Sequence, residues 1–127
     1  MCGVCGIVDL SDSPPIMADE LRNMCETIEH RGPDGIRTMI RDSVAFGHTR
    51  LAVIDTETGW QPIANEDASI FVILNGEIYN FQELRKYLIG LGHHFTTNSD
   101  TEVIVHLYEE EGIQFVKSLN GMFALAI

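Results

Sequence analysis

An α+β fold in a single domain is the architecture this sequence predicts, on three observations. Short apolar and β-branched stretches occur in runs, two or three segments with helical spacing stand between them, and 127 residues suffice for one core but not two. Cys2 to Asp9 reads as a mostly apolar strand, and its glycines suggest close backbone approach. After the Ser11-Asp12-Ser13-Pro14-Pro15 break, Met17, Leu21, Met24, Cys25 and Ile28 follow helical spacing, with Asp19 and Glu20 in the first turn, and Gly32-Pro33 ends the helix. Strands are predicted at Ile36–Arg41, Val44–Gly47, Leu51–Ile54 and Ile70–Leu74, with a long loop over Thr56–Asp67. Asn80 with Glu83 reads as the capped start of a helix carrying Phe81, Leu84 and Leu88, ended by Gly90 to Gly92. Ser99 and Glu102 form a capping-box pattern ahead of Val103, Ile104, Leu107 and Tyr108. Leu119 to Ile127 turns at Asn120-Gly121 into a last apolar strand.

Eight basic against nineteen acidic residues give a net charge of −11, which repels phosphate backbones and anionic lipid surfaces. Nucleic acid and membranes are therefore not expected as partners. The start lacks a charged segment followed by an apolar core, and no apolar run approaches a membrane span, so a cytoplasmic protein is expected. Three cysteines, an odd number, argue against a disulfide framework. Cys2 and Cys5 have C-x-x-C spacing but lie within a strand rather than at a strand-to-helix turn, which disfavours a redox motif. A structural zinc would need two further ligands, and His93-His94 are the only clustered candidates; no metal site is expected, and Cys5 and Cys25 read as core.

Cys2 has a chemical reading of its own. An initiator methionine is removed when the next residue is small, so the mature chain can begin at Cys2 with thiol and α-amine on one residue. A free α-amine has a pKa of roughly 7.7–8.0 and near neutrality can take the thiol proton, making Cys2 an N-terminal nucleophile. The bland alternative is a small, strand-compatible residue.

Further along stand His30-Arg31-Gly32-Pro33-Asp34-Gly35, Gly47-His48-Thr49-Arg50-Leu51, Gly59-Trp60-Gln61-Pro62, Asn75-Gly76-Glu77-Ile78-Tyr79-Asn80, Ser99-Asp100-Thr101-Glu102 and Leu119-Asn120-Gly121-Met122-Phe123-Ala124. In this order, over the whole chain, the blocks resemble the glutaminase domain of class II glutamine amidotransferases, and the first block is similar to the asparagine synthetase branch. The resemblance implies an N-terminal-nucleophile hydrolase sandwich of four layers, two antiparallel sheets between helices. It implies hydrolysis of L-glutamine at Cys2 through a thioester, with Asn75 (side chain) and Gly76 (backbone N–H) as the oxyanion hole, Arg50 pairing with the substrate carboxylate, and Asp100 and Glu77 accepting its ammonium. Each has a plainer reading: a type I′ turn for Asn75-Gly76, a helix cap for Asp100, a solvated strand-end charge for Glu77. His48 invites a general-base role, but the N-terminal amine already supplies one, so it reads as a packed or hydrogen-bonded neighbour.

The resemblance also implies a synthetase domain or subunit that adenylates aspartate with ATP and Mg and receives the ammonia; the alternatives are a module that binds glutamine without turnover and a glutaminase serving a different ammonia acceptor. No glycine-rich phosphate loop lies in these residues, so the glutaminase portion itself needs no cofactor. Since strands beyond Ile127 are implied, residues 1–127 are expected to be the N-terminal portion of a glutaminase domain, incomplete at the C-terminus and with an open sheet edge that favours a homo-oligomer.

Overall fold

Six strands form two antiparallel three-stranded sheets in the computed structural model, which describes residues 1–10, 15–53, 55 and 57–127. The first sheet has the order β1 (Gly3–Val8), β3 (Val44–Arg50), β2 (Gly35–Arg41). The second has the order β4 (Ile63–Ala64), β5 (Phe71–Ile78), β6 (Gly121–Ala126). Helix α1 (Ala18–Thr27) lies on the first sheet, α3 (Glu102–Glu111) packs against β4 and β5, and α2 (Phe81–Leu91) packs on α3. Both β1 and β3 touch β5, so the two sheets approach each other there. The α+β class is as the sequence predicts.

The main core joins Val72, Leu74 and Ile78 of β5 to Leu88 of α2, to Val103, Ile104, Val105 and Leu107 of α3, and to Phe115. Under α1, Leu21 and Cys25 are fully buried, as is Ala45 of β3. Gly47 makes that contact possible: a Cβ there would stand 2.4 Å from Cys25 Sγ and 2.6 Å from Cys5 Sγ.

Strand β3, with partners on both edges, sets the orientation of the site. Cys5 pairs with Gly47 and Gly3 with Thr49; Cys5 Sγ lies 3.5 Å from Cys25 Sγ, and Thr49 Oγ1 donates to Ile28 O, so these residues face α1. The period of two then turns His48 and Arg50, and Cys2 one step before β1, to the opposite face. Cys2 and Cys5, three apart in an extended chain, point in opposite directions and cannot act as a C-x-x-C pair.

Several elements differ from the sequence expectation. β3 continues to Arg50 because Thr49 and Arg50 are paired with Gly3 and Gly35, whereas Leu51–Val53, expected in a strand, leave the sheet. Ile54, the last residue of that expected strand, lies outside the described residues. α1 stops at Thr27 and a 3₁₀ turn covers Glu29–Arg31, because Thr27 Oγ1 bonds back to Met24 O and Gly32 seats directly on the Thr49 carbonyl. Asn80 holds the N-cap position of α2, but its side chain ties down the start of β6: it donates to Ser118 O at 3.0 Å and accepts from Asn120 N–H at 2.9 Å. The Ser99–Glu102 capping box does not form. Buried Glu102 accepts from the N–H groups and hydroxyls of Thr96 and Thr97 instead, four donors where a cap offers one. β5 runs through Asn75-Gly76 to Ile78, paired with β6, so this dipeptide is not a turn. β4 and a 3₁₀ segment at Gly112–Ser118 have no counterpart in the sequence reading.

Candidate active site

Cys2 sits at the mouth of β1 with its thiol against the chain leaving β3. Leu51 N–H points to Cys2 Sγ at 3.3 Å, and the thiol lies 3.5 Å from Leu51 O. Arg31 Nε donates to Cys2 O at 3.2 Å, fixing the backbone of the same residue. Asp34 closes the frame: its N–H donates to Arg50 O at 2.9 Å and its carboxylate accepts Ala52 N–H at 2.7 Å. Between them, Gly32 admits nothing larger, since a Cβ would lie 2.3 Å from Thr49 O. The His30–Gly35 block therefore builds the wall that holds Cys2 and Leu51 together.

A cleft of about 670 Å³, its open mouth included, is lined by Cys2, His48, Arg50, Gly76, Glu77 and Asp100, with Met1 at its edge. The structure thus brings together five of the six predicted residues. Asn75, the sixth, does not line the cleft; its Oδ1 is buried without a hydrogen-bond partner. Gly76 is required for a different reason: a Cβ there would stand 2.2 Å from Met122 O, so only glycine lets β6 pair at this point.

The electrostatics are unusual. Arg50 is 3% exposed, stacks 4.4 Å from the Trp60 ring centroid and donates to Asp55 O at 2.5 Å, but no carboxylate among the described residues pairs with it. Asp100 is buried and accepts Ile78 N–H at 2.8 Å; burial, together with the neighbouring Glu77 charge, raises its pKa from its ordinary value. Neither Asp100 nor Glu77 forms an ion pair with a basic side chain among the described residues. An unpaired buried charge is costly, and two acids beside one guanidinium form the complement of a zwitterionic amino acid head group.

His48 is 1% exposed and neither ring nitrogen has a hydrogen-bond partner. Burial, with the Arg50 charge adding to it, lowers its pKa to about 4, so it stands neutral in the cleft wall. Residues that sequence reasoning missed hold the frame. Asp55 accepts Thr58 N–H and Asn98 N–H at 2.8 and 2.7 Å while its carbonyl holds Arg50. Partial burial works against its charge, but these bonds keep its pKa at about 2. Gln61 bridges Leu74 N–H and Thr101 Oγ1, joining β5 to the start of α3 beside Asp100. The Gly59–Pro62 block marked Gln61 in the sequence; Asp55 carried no local signal.

Residues 1–127 match the glutamine amidotransferase domain family in full. The chain belongs to that family. It is 47% identical over 129 aligned residues to "Asparagine synthetase [glutamine-hydrolyzing] 2" of Bacillus subtilis, covering 100% of this chain and 17% of that protein. It is 42% identical to an asparagine synthetase [glutamine-hydrolyzing] of Sandersonia aurantiaca and 43% identical to one of Arabidopsis thaliana, covering 24% and 21% of those proteins. This glutamine amidotransferase domain chain thus spans about a fifth of the length of these relatives. No helix among its described residues is long and apolar enough to cross a membrane.

Proposed function

We propose that these residues form the N-terminal portion of a glutaminase domain that hydrolyses L-glutamine to glutamate and ammonia, with Cys2 as nucleophile once Met1 is removed. The observation that carries this reading is the buried Arg50, with no carboxylate partner among the described residues, in one cleft with the Cys2 thiol and with Asp100 and Glu77, which have no basic partner among them. Arg50 binds the substrate carboxylate through its planar fork, held flat by Trp60. Asp100 and Glu77 accept the ammonium. The Cys2 α-amine takes the thiol proton, the thiolate forms a bond to the amide carbon, and the carbonyl oxygen becomes an oxyanion for Gly76 N–H, which lines the cleft, and for the Asn75 side-chain amide, which must turn in from outside the cleft lining to reach it. The α-ammonium returns its proton to the leaving nitrogen, the C–N bond breaks and ammonia departs. Water, deprotonated by the same amine, then cleaves the thioester, giving glutamate and restoring the thiol. Leu51 N–H, directed at the sulfur at 3.3 Å, positions it in both halves.

The helix α1, the two sheets and the α2–α3 pair support a four-layer N-terminal-nucleophile hydrolase sandwich. By analogy with the relatives, the whole cytoplasmic protein passes the ammonia to a synthetase domain or subunit that uses ATP and Mg to make asparagine. The glutaminase portion itself takes part without cofactor.

While Met1 is attached, the Cys2 nitrogen is a peptide amide and can accept no proton, and Met1 stands at the edge of the cleft. The test is to prepare the chain with and without Met1, verified by intact mass, and to measure glutamate release and labelling by an electrophilic glutamine analogue. Release confined to the processed form, with the label on Cys2 rather than Cys5 or Cys25, is the expected result. Undiminished release by the Met1-bearing form overturns the mechanism.

A further inference from the structure

Away from the cleft, four side chains from three segments converge: Glu66 from the loop after β4, His93 from the chain after α2, and His106 and Glu109 from α3. One ligand atom from each lies within 4.8 Å of every other. His93 Nδ1 is 3.3 Å from Glu66 Oε1 and 3.7 Å from Glu109 Oε2; His106 Nδ1 is 3.2 Å from Glu66 Oε2 and 3.4 Å from Glu109 Oε2. We propose that Glu66, His93, His106 and Glu109 form a binding site for a divalent transition-metal ion of the zinc type, clipping the loop after β4 and the chain after α2 to α3.

Three features favour an ion over hydrogen bonds alone. A tetrahedral zinc with bonds of roughly 2.0–2.1 Å holds its ligand atoms roughly 3.3–3.4 Å apart. The four imidazole–carboxylate separations, 3.2 to 3.7 Å, bracket that value and exceed the roughly 2.7–2.9 Å of a charge-assisted N–H···O bond, and the full set of four ligand atoms lies within 4.8 Å of one another. Secondly, each Nδ1 faces two carboxylates at once, whereas a single N–H can point well at only one. Thirdly, the outer contacts already orient the donors. His93 Nε2 lies 3.0 Å from Glu110 Oε1, so a neutral His93 donates there and turns its Nδ1 lone pair inward. Buried Asn65 donates to Glu109 Oε1 at 3.0 Å and His94 N–H donates to Glu66 Oε1 at 2.9 Å, leaving the remaining lone pairs of both carboxylates for a cation. Mixed imidazole and carboxylate donors suit zinc, and soft thiolates are absent from the set. His106 is 1% exposed while Glu66 is 36% exposed, so an ion can enter from the glutamate side.

The test uses the 127-residue chain, dialysed against a chelator and then against Zn²⁺ at neutral pH, with Co²⁺ as a visible probe. One tightly held Zn²⁺ per chain is expected, along with a Tm rise of roughly 5–10 °C at a hundredfold excess over Kd. The Co²⁺ spectrum should be that of a four-coordinate nitrogen and oxygen site without a thiolate band. The combined substitution His93→Asn and Glu109→Gln should weaken binding by roughly 10²-fold or more, and Glu110→Gln, which alters the partner of His93 Nε2, by roughly 10–100-fold. Failure of the unmodified chain to retain Zn²⁺ means that the cluster holds protons only, and the proposal falls. Full retention by the double variant, or a thiolate band, places the ion elsewhere and also overturns it. The unmodified chain decides the matter even if a variant fails to fold, and none of these readouts depends on glutamine hydrolysis.

Discussion

At the scale of single residues, Arg50 and Asn75 separate binding from turnover. Arg50→Lys keeps the charge and loses the planar fork on Trp60, so KM for glutamine should rise at least tenfold with kcat little changed. Asn75→Ala removes a donor needed only when the oxyanion forms, so kcat should fall roughly 10²–10³-fold. Steady-state kinetics of the two variants check this; equal effects on both parameters overturn the assignment. His48 makes a second prediction. Its pKa is depressed from 6.5 to about 4, so the unfolded chain binds a proton that the folded chain refuses. Stability from this group is complete above about pH 6.5, declines as pH falls toward 4, and by then has dropped by about 3 kcal/mol. Urea midpoints between pH 7 and 4 should fall less steeply for His48→Asn than for the unmodified chain. The residue types at this scale were legible in the sequence, because Cys2, Arg50 and the Asn-Gly-Glu run are distinctive, but Asp55 was not. Its role comes from bonds to Thr58, Asn98 and Arg50, which no local pattern announces.

At the scale of elements, the seam between β3 and α1 is closed by a missing side chain. Gly47→Ala would drive a methyl group to within 2.4 Å of Cys25 Sγ and 2.6 Å of Cys5 Sγ. Such overpacking costs roughly 1–3 kcal/mol, and chemical denaturation should show it. Adding Cys25→Ala removes one of the two clashing sulfurs, so the double variant should lose less stability than the sum of the single changes. An additive result would mean that the strain lies in the strand backbone instead. Helical spacing located α1 to α3; Gly92 ends α2 within the expected Gly90 to Gly92 stop, whereas α1 ends at Thr27, short of the expected Gly32-Pro33. The strand expected at Leu51–Ile54 failed for a reason of neighbours: pairing on both edges extends β3 to Arg50 and spends the ladder there.

At the scale of the whole molecule, β6 pairs with β5 on one side and, among the described residues, stands at the edge of its sheet on the other. Its alternation leaves Met122 51% exposed. An unpaired edge invites pairing with a second copy, while the charge of −11 opposes association through repulsion that salt screens. Light scattering should therefore show self-association that increases with ionic strength. Ala124→Lys on this strand should suppress it, and a monomer at all salt concentrations would show that the edge is already protected.

The sequence by itself pointed to the α+β class, the family and six site residues of which five share the cleft, because these depend on apolar periodicity, turn residues and an ordered set of short blocks. Only the tertiary structure decided which carboxylates find partners and which charges remain alone. Glu102 looks like a cap in sequence yet serves Thr96 and Thr97, while Asp100, two residues before it, accepts Ile78 N–H and has no basic side chain paired with it among the described residues. His93, His106, Glu66 and Glu109 are likewise scattered over more than forty positions and meet only through packing of α3 against β4 and β5. Hydrophobic spacing is a local property of the chain, whereas charge compensation is settled by distances that exist only after the elements have packed.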